Sequence, residues 1–184
     1  MPTVITHAAV PLAIGLGAGQ RVVSRRLLFA GVVASMLPDI DTLGFRFGIP
    51  YGSPFGHRGF THSLVFAGVV AVAAVVFHGV LHTSRWRAFA FVFVSAASHG
   101  ILDTLTTGGK GVALLWPFTN ARFFAPIRMI QVSPIGVGRF LSRNEAHVIA
   151  TELLWVWLPM LLIFLLLRTW CKMHQRAPHP ARQR

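Results

Sequence analysis

His57-Arg58-Gly59-Phe60-Thr61-His62-Ser63 places two imidazoles, one guanidinium and two hydroxyls within seven residues. An apolar run over residues 64–81 follows at once, and a run of that length reads as a membrane helix with the polar cluster at its mouth. Two further knots stand at the ends of apolar runs, Pro38-Asp39-Ile40-Asp41 and His99-Gly100-Ile101-Leu102-Asp103. The sequence predicts that the three knots meet, on one side of a membrane, around metal.

The composition sets the class. Of the 184 residues, 54% are hydrophobic and 12% charged, and the mean hydropathy is +0.61. A soluble domain carries about twice that charged fraction. The expectation is an all-α, multi-pass transmembrane helical bundle of about five spans, one domain over residues 1–168, with a basic disordered tail over 169–184. The net charge of +12 is spread between apolar runs rather than gathered in a basic domain, which favours anchoring to an anionic bilayer and argues against nucleic acid as a partner. The single cysteine, Cys171, excludes an internal disulfide and a thiolate-rich metal site, and reads as a helix-end filler. Oligomeric state stays open.

The acids are few, and their positions are informative. Three of the five, Asp39, Asp41 and Asp103, lie in the knots. A carboxylate at membrane depth costs a few kcal/mol unless it is paired or holds a cation.

The predicted spans cover residues 3–19, 22–37, 60–81, 86–102 and 148–167. The first could be read as a signal-peptide core, but it lacks a basic leading region, so a retained helix is expected. The second is short enough to be a re-entrant helix. Glycines and prolines over 42–56 predict a loop. Residues 104–146 leave the regular spans, and within them 114–141 mix aromatics with Arg122, Arg128 and Arg139 between prolines, which suits amphipathic segments lying in the interface plane. His78 and His82, at the far end of the third span, read as interfacial polar residues.

Following the chain up and down makes the knots converge. His7 opens the first span, Asp39 and Asp41 close the second, and His57 and His62 open the third. His99 and Asp103 close the fourth, and His147 and Glu152 open the fifth. All of these ends fall on one face. The other face carries Arg21, Arg25, Arg26, Arg85, Arg87, Arg168, Lys172, Arg176, Arg182 and Arg184 in short turns and a tail. Basic density marks the cytoplasmic side, so the site is expected on the extracytoplasmic face of a bacterial inner membrane.

His99 and Asp103 are four apart, so on a helix they share a face and can bind one cation together. Asp39 and Asp41, after a proline, are expected on an extended turn with both carboxylates reaching inward. His7, Asp39, Asp41, His57, His62, His99 and Asp103 form the candidate ligand set. Its nitrogen and oxygen mixture fits a divalent transition metal, zinc first, in one to three ions. Such metals activate water and clamp a phosphoryl or acyl oxygen. Asp41, His57 and Glu152 are the candidate catalytic residues, with Glu152 a late ligand or base. His57 has the alternative role of orienting a ligand. Arg58, Thr61, Lys110, Arg122 and Arg128 are the candidate substrate-binding residues, and Thr61 or Ser63 also reads as the cap of the third helix. No G-x-S-x-G elbow occurs in the sequence, which leaves serine catalysis without support.

Thr6-His7, Pro38-Asp39-Ile40-Asp41, the His57–Ser63 stretch, and Ser98-His99-Gly100-Ile101-Leu102-Asp103 with residues 106–109 after it together resemble the signature of the YdjM-like bacterial inner-membrane family, described as metal-dependent hydrolases. The resemblance covers most of positions 3–120 and implies a multi-pass helical membrane protein with that activity. More distantly, the ligand order is similar to the zinc-dependent phospholipase C and P1 nuclease superfamily. There a helical bundle holds a zinc cluster and a His-x-x-x-Asp pair, the spacing of His99 and Asp103, is shared by two ions. The expected function is therefore hydrolysis of a phosphoester bond in a phospholipid or lipid-linked substrate. The alternative is a non-enzymatic membrane protein that binds or transports divalent metal.

Overall fold

A computed structural model describes residues 2–132 and 143–175. The regular structure among them is helical: α1 (Ala9–Ala18) after a 3-10 turn Val4–Ala8, α2 (Arg25–Met36), α3 (Leu64–Val76), α4 (Arg85–Thr104), α5 (Arg143–Glu152) and α6 (Leu158–Gln175). A π-turn, Leu153–Trp157, joins α5 to α6. Pro159 has no N–H to give to the ladder, and the wide turn directly precedes it.

Serine starts three of these helices. Ser24, Ser63 and Ser84 accept hydrogen bonds from the amides of Leu27, Phe66 and Arg87 at the heads of α2, α3 and α4. Each satisfies an amide that the first turn leaves unpaired, a contribution of about 1 kcal/mol. The cap of α3 is therefore Ser63, and Thr61 is occupied elsewhere.

Helix α4 is the central rod. α2 and α3 both pack along it, while α1 packs on α6. The core is built largely of small residues, with Ala34, Ala67, Ala71, Ala74, Ala88, Ala96 and Ala97 buried among Leu27, Phe91 and Val92. Small side chains let helix backbones approach closely, as expected where lipid supplies no hydrophobic drive between helices. A second cluster joins Ala9, Leu102, Ile130 and Val156 at the end where the knots lie.

Two helical stretches are long and apolar enough to cross a membrane, Arg25–Phe47 with 23 residues and Ala146–His174 with 29. Val4–Ala18 and Leu64–Val76 are apolar but shorter. α3, at 13 residues, spans about 20 Å against roughly 30 Å of hydrocarbon. α4 has 20 residues but carries Arg85, Arg87, His99 and Asp103. Among the described residues two helical stretches thus have full-span length and apolarity, and three other helices are shorter or more polar. Large apolar residues of α6, among them Leu162 and Leu166, point outward.

Three expectations are corrected. Residues 42–47 are not loop: a 3-10 helix, Leu37–Phe47, continues α2 through Pro38, because proline at a helix start gives up only an amide that had no partner. Asp39 and Asp41 are therefore on a helical turn rather than an extended one. The tail expected from residue 169 is helical as far as Gln175. Residues 105–132 form extended and turn segments outside the helices, joined by bridges Thr106–Ile130 and Val112–Phe123, and they close over the ends of α3 and α4 through Leu64 N to Leu114 O and Ala125 N to Thr104 O. Arg139, Arg176, Arg182 and Arg184 lie outside the described residues.

Candidate metal centre

Four elements deliver side chains to one end of the bundle. His7 comes from the turn before α1, Asp39 from the 3-10 turn after α2, His62 from the turn before α3, and His99 and Asp103 from the last turns of α4. All five are buried, His7, His99 and Asp103 completely. Gly100 is what allows α4 so close, since a Cβ there would stand 2.5 Å from the His62 carbonyl oxygen.

The polar atoms of these residues face one another. His62 Nε2 and His99 Nε2 are 3.0 Å apart. His62 Nε2 lies 3.4 Å from Asp103 Oδ2 and 3.8 Å from Asp39 Oδ1, and His99 Nε2 lies 3.5 Å from Asp39 Oδ1. His7 stacks on His99 with ring centres 3.7 Å apart, and its Nε2 is 3.9 Å from Asp103 Oδ1. Both nitrogens of His7 and both oxygens of Asp39 and Asp103 are buried without a hydrogen-bond partner, although more than 90% of such groups are normally satisfied.

The tautomers make the deficit explicit. His99 Nδ1 lies 2.7 Å from the Ser35 carbonyl, which can only accept, so Nδ1 carries the proton and Nε2 presents a lone pair. His62 Nδ1 faces Asp41 Oδ2 at 3.2 Å, which sets the same tautomer. With both rings neutral in these tautomers, the two Nε2 atoms meet at 3.0 Å as acceptors beside two carboxylates. Asp39, Asp41 and Asp103 stand against one buried guanidinium, Arg58, so with neutral imidazoles the site has a formal charge of −2. Buried charge of that size needs compensation. Ligands about 2.0–2.2 Å from one divalent ion stand roughly 3–4 Å from each other, and the donor pairs here span 3.0 to 3.9 Å. The donor set of His nitrogens and Asp oxygens therefore fits a divalent metal.

Three residues expected as ligands or catalysts surround that set. Asp41 shares in none of the donor groups compact enough to hold an ion. Its Oδ1 lies 2.7 Å from His57 Nδ1, and its Oδ2 accepts from Thr61 Oγ1 at 2.7 Å and from the Arg58 amide at 3.2 Å. It is a carboxylate that orients two histidines. A ring nitrogen of His57 lies within 4.8 Å of donor atoms of Asp39 and His62, beside the five inner residues. Glu152 is buried and accepts from Thr3 N (2.6 Å), Thr3 Oγ1 (2.7 Å) and Thr6 Oγ1 (2.6 Å), while Trp157 Nε1 donates to the same Thr6 hydroxyl. It ties the turn that carries His7 to the last helical rod.

The candidate substrate residues divide by depth. Arg58 is fully buried and faces inward, 3.0 Å from Asp103 Oδ2 as a close ion pair not aligned as a hydrogen bond, and it donates to Gly108 O and Thr106 Oγ1. Its φ of 62° places a non-glycine residue in the left-handed region, where strain costs on the order of 1–3 kcal/mol and persists only under strong surrounding constraint. Arg122 donates to the carbonyls of His57, Arg58, Tyr51 and Ser53, a clamp on the loop. Thr61 serves Asp41. Lys110, above the Tyr51 ring at 5.9 Å, and Arg128, above Phe124 at 4.9 Å, are exposed.

Sequence reading missed two contributors. Ser35, one turn before Asp39, fixes His99 through its backbone carbonyl. Tyr51, the one tyrosine in the chain, stacks edge-on to His57 at 5.2 Å. Burial raises the Tyr51 hydroxyl above its ordinary pKa against the opposing pull of Arg58, so it stays a neutral donor. Gly109, at φ 89°, leaves the space that Tyr51 Oη and Arg58 occupy.

The profile of the family described as YdjM inner membrane protein matches residues 1–176, which contain every residue of this site. The chain is 54% identical over 169 residues to the inner membrane protein YbcI of Escherichia coli (strain K12), covering 89% of this chain and 95% of that one. It is 32% identical over 142 residues to the inner membrane protein YdjM of the same organism and to that of Shigella flexneri, covering 71% of this chain and 65% of theirs. No solved structure matches the chain. The chain belongs to the YdjM inner membrane protein family.

Proposed function

We propose that this protein is a membrane-embedded, divalent-metal-dependent hydrolase that cleaves a phosphoester bond of a phospholipid or lipid-linked substrate. The observation that carries the reading is the approach of His62 Nε2 and His99 Nε2 to 3.0 Å beside the partnerless carboxylates of Asp39 and Asp103. His7, Asp39, His62, His99 and Asp103 would hold the metal, with zinc the best match to the donor mixture. A bound ion of this kind lowers the pKa of a water molecule and polarises a phosphoryl oxygen.

The other residues take supporting parts. Asp41 holds His57 Nδ1, which leaves Nε2 as the base. Water attacks phosphorus, His57 Nε2 takes its proton, the new P–O bond forms, and the bond to the leaving alcohol breaks. The imidazolium then returns the proton to the departing oxygen. Arg58 compensates Asp103, and Lys110 and Arg128 are the exposed cations at this end of the bundle for an anionic head group. The choice of a phosphoester rests on the His99/Asp103 spacing, which is similar to that of the zinc-dependent phospholipase C and P1 nuclease superfamily. In the full arrangement the five rods form a multi-pass bundle with the site on the extracytoplasmic face, by the basic density at the opposite end.

The burial of all five inner residues favours a second reading, in which the metal is structural and the protein an assembly scaffold or metal binder. Phosphodiesterase and phospholipase assays on metal-loaded protein separate the two. Hydrolysis lost in His57→Ala with metal content retained supports the enzyme. Metal bound at full occupancy, with no turnover of any phospholipid class, supports the scaffold.

A further inference from the structure

A second feature lies along the flank of the bundle, on a groove that runs from Arg25 and Arg26 to Leu37, two residues before Asp39. α2 and α3 both pack along α4 but scarcely meet one another, and the gap between them is a groove of about 620 Å³, in the usual range of roughly 300–1,000 Å³ for ligand sites. Ala30 and Ala34 of α2 and Ala73 and Ala74 of α3 make its walls shallow, and Val92 of α4 is its floor. The groove opens outward, where Phe29 and Val33 are exposed. One end is closed by a polar strap: Ser24 Oγ donates to Leu81 O, and Arg26 donates to Val80 O and contacts His82. Arg25 and Arg26 stand at that end.

An apolar channel of this kind in a membrane protein cannot be left void, because packed interiors lose the contacts that an empty gap withholds. Charge selects the occupant. Arg21, Arg25, Arg85, Arg87, Arg168 and Lys172 lie at this end of the bundle, and among the described residues none of them pairs with a carboxylate. We propose that the α2–α3 groove binds one anionic phospholipid, with an acyl chain along Ala30, Ala34 and Ala73 and the head-group phosphate at Arg25 and Arg26. The head-group end of this site lies at Arg25 and Arg26, at the opposite end of α2 from Asp39, and the site does not depend on the hydrolase reading.

The test uses the full chain purified in a mild detergent, with retained lipid counted by native mass spectrometry after exchange against phosphatidylglycerol or phosphatidylcholine. The wild type is expected to hold one phosphatidylglycerol and to prefer it to phosphatidylcholine. Arg25→Gln should reduce that preference about fivefold, the worth of one basic residue beside an anionic surface. Ala73→Phe, which fills the groove from an exposed position, should abolish retention while leaving metal content and the circular dichroism spectrum unchanged. Ala73→Leu gives a second, milder filling should the phenylalanine variant fail to fold. Equal retention of both lipids, full retention in the filled variants, or a second copy of the chain cross-linking through Ala73→Cys would each overturn the proposal.

Discussion

The two ends of the bundle treat charge in opposite ways. At one end Asp39, Asp41, Asp103, Glu152 and Arg58 are withdrawn from solvent. At the other, Arg21, Arg25, Arg85 and Arg87 are exposed and no acid accompanies them. A buried charge must be balanced within a few ångströms, whereas an exposed guanidinium can be satisfied by water or lipid phosphate. The first end is therefore built to hold something, and the second to rest against something.

If that contrast is right, substitutions should hurt in order of burial. Asp103→Ala removes two partnerless oxygens and strands Arg58, so it should abolish metal binding and cost about 3–5 kcal/mol of stability, the usual penalty for breaking a buried pair. Denaturant unfolding in detergent and elemental analysis would read the two effects separately. Glu152→Ala leaves the donors of Thr3 and Thr6 without an acceptor. A loss of about 1.5–3 kcal/mol is expected, with weaker but surviving metal affinity because His7 is held less firmly, and Glu152→Gln should recover part of both. Gly100→Ala pushes α4 off the His62 carbonyl and should lower metal affinity with a smaller loss of stability, as isothermal titration would show. His82→Ala, at the exposed end, should change stability by no more than about 0.5 kcal/mol. A large effect there, or a small one at Asp103, would break the comparison.

How far the sequence announced this contrast differs from residue to residue. His7, Asp39, His62, His99 and Asp103 were legible, because alternating helix direction brings their ends to one level whatever the details of packing. The destination of Arg58 was not. Next to two histidines it reads as a substrate clamp, and only the left-handed turn at Arg58, with Asp103, Thr106 and Gly108 inside it, turns the guanidinium inward. Glu152 misled for a related reason: its partners are Thr3 and Thr6, some 146 to 149 positions away, and no local pattern encodes a pairing so distant. Asp41 reads as a ligand because it sits two residues from Asp39. On the 3-10 turn the two carboxylates reach opposite nitrogens of the same ring, Asp39 facing His62 Nε2 and Asp41 facing His62 Nδ1. Apolar length alone did not reveal where α3 stops, at Val76, or that α4 carries Arg85, Arg87, His99 and Asp103 within its 20 residues.

Metal binding at the first end is also linked to the stability of the whole fold. Anything that binds the folded chain alone stabilises it by RT ln(1 + [L]/Kd), about 4 kcal/mol at a thousandfold excess over Kd. Chelation should therefore lower the melting temperature of the wild type and leave that of Asp103→Ala unmoved.

The most direct measurement is elemental analysis of the purified wild-type chain together with X-ray absorption at the edge of whatever metal it carries. The account predicts at least one divalent ion per chain, zinc first, in a shell of nitrogen and oxygen at about 2.0–2.2 Å without sulfur, lost together from His62→Ala and His99→Ala. A wild-type chain that takes up no divalent metal, and melts at the same temperature before and after chelation, would contradict it.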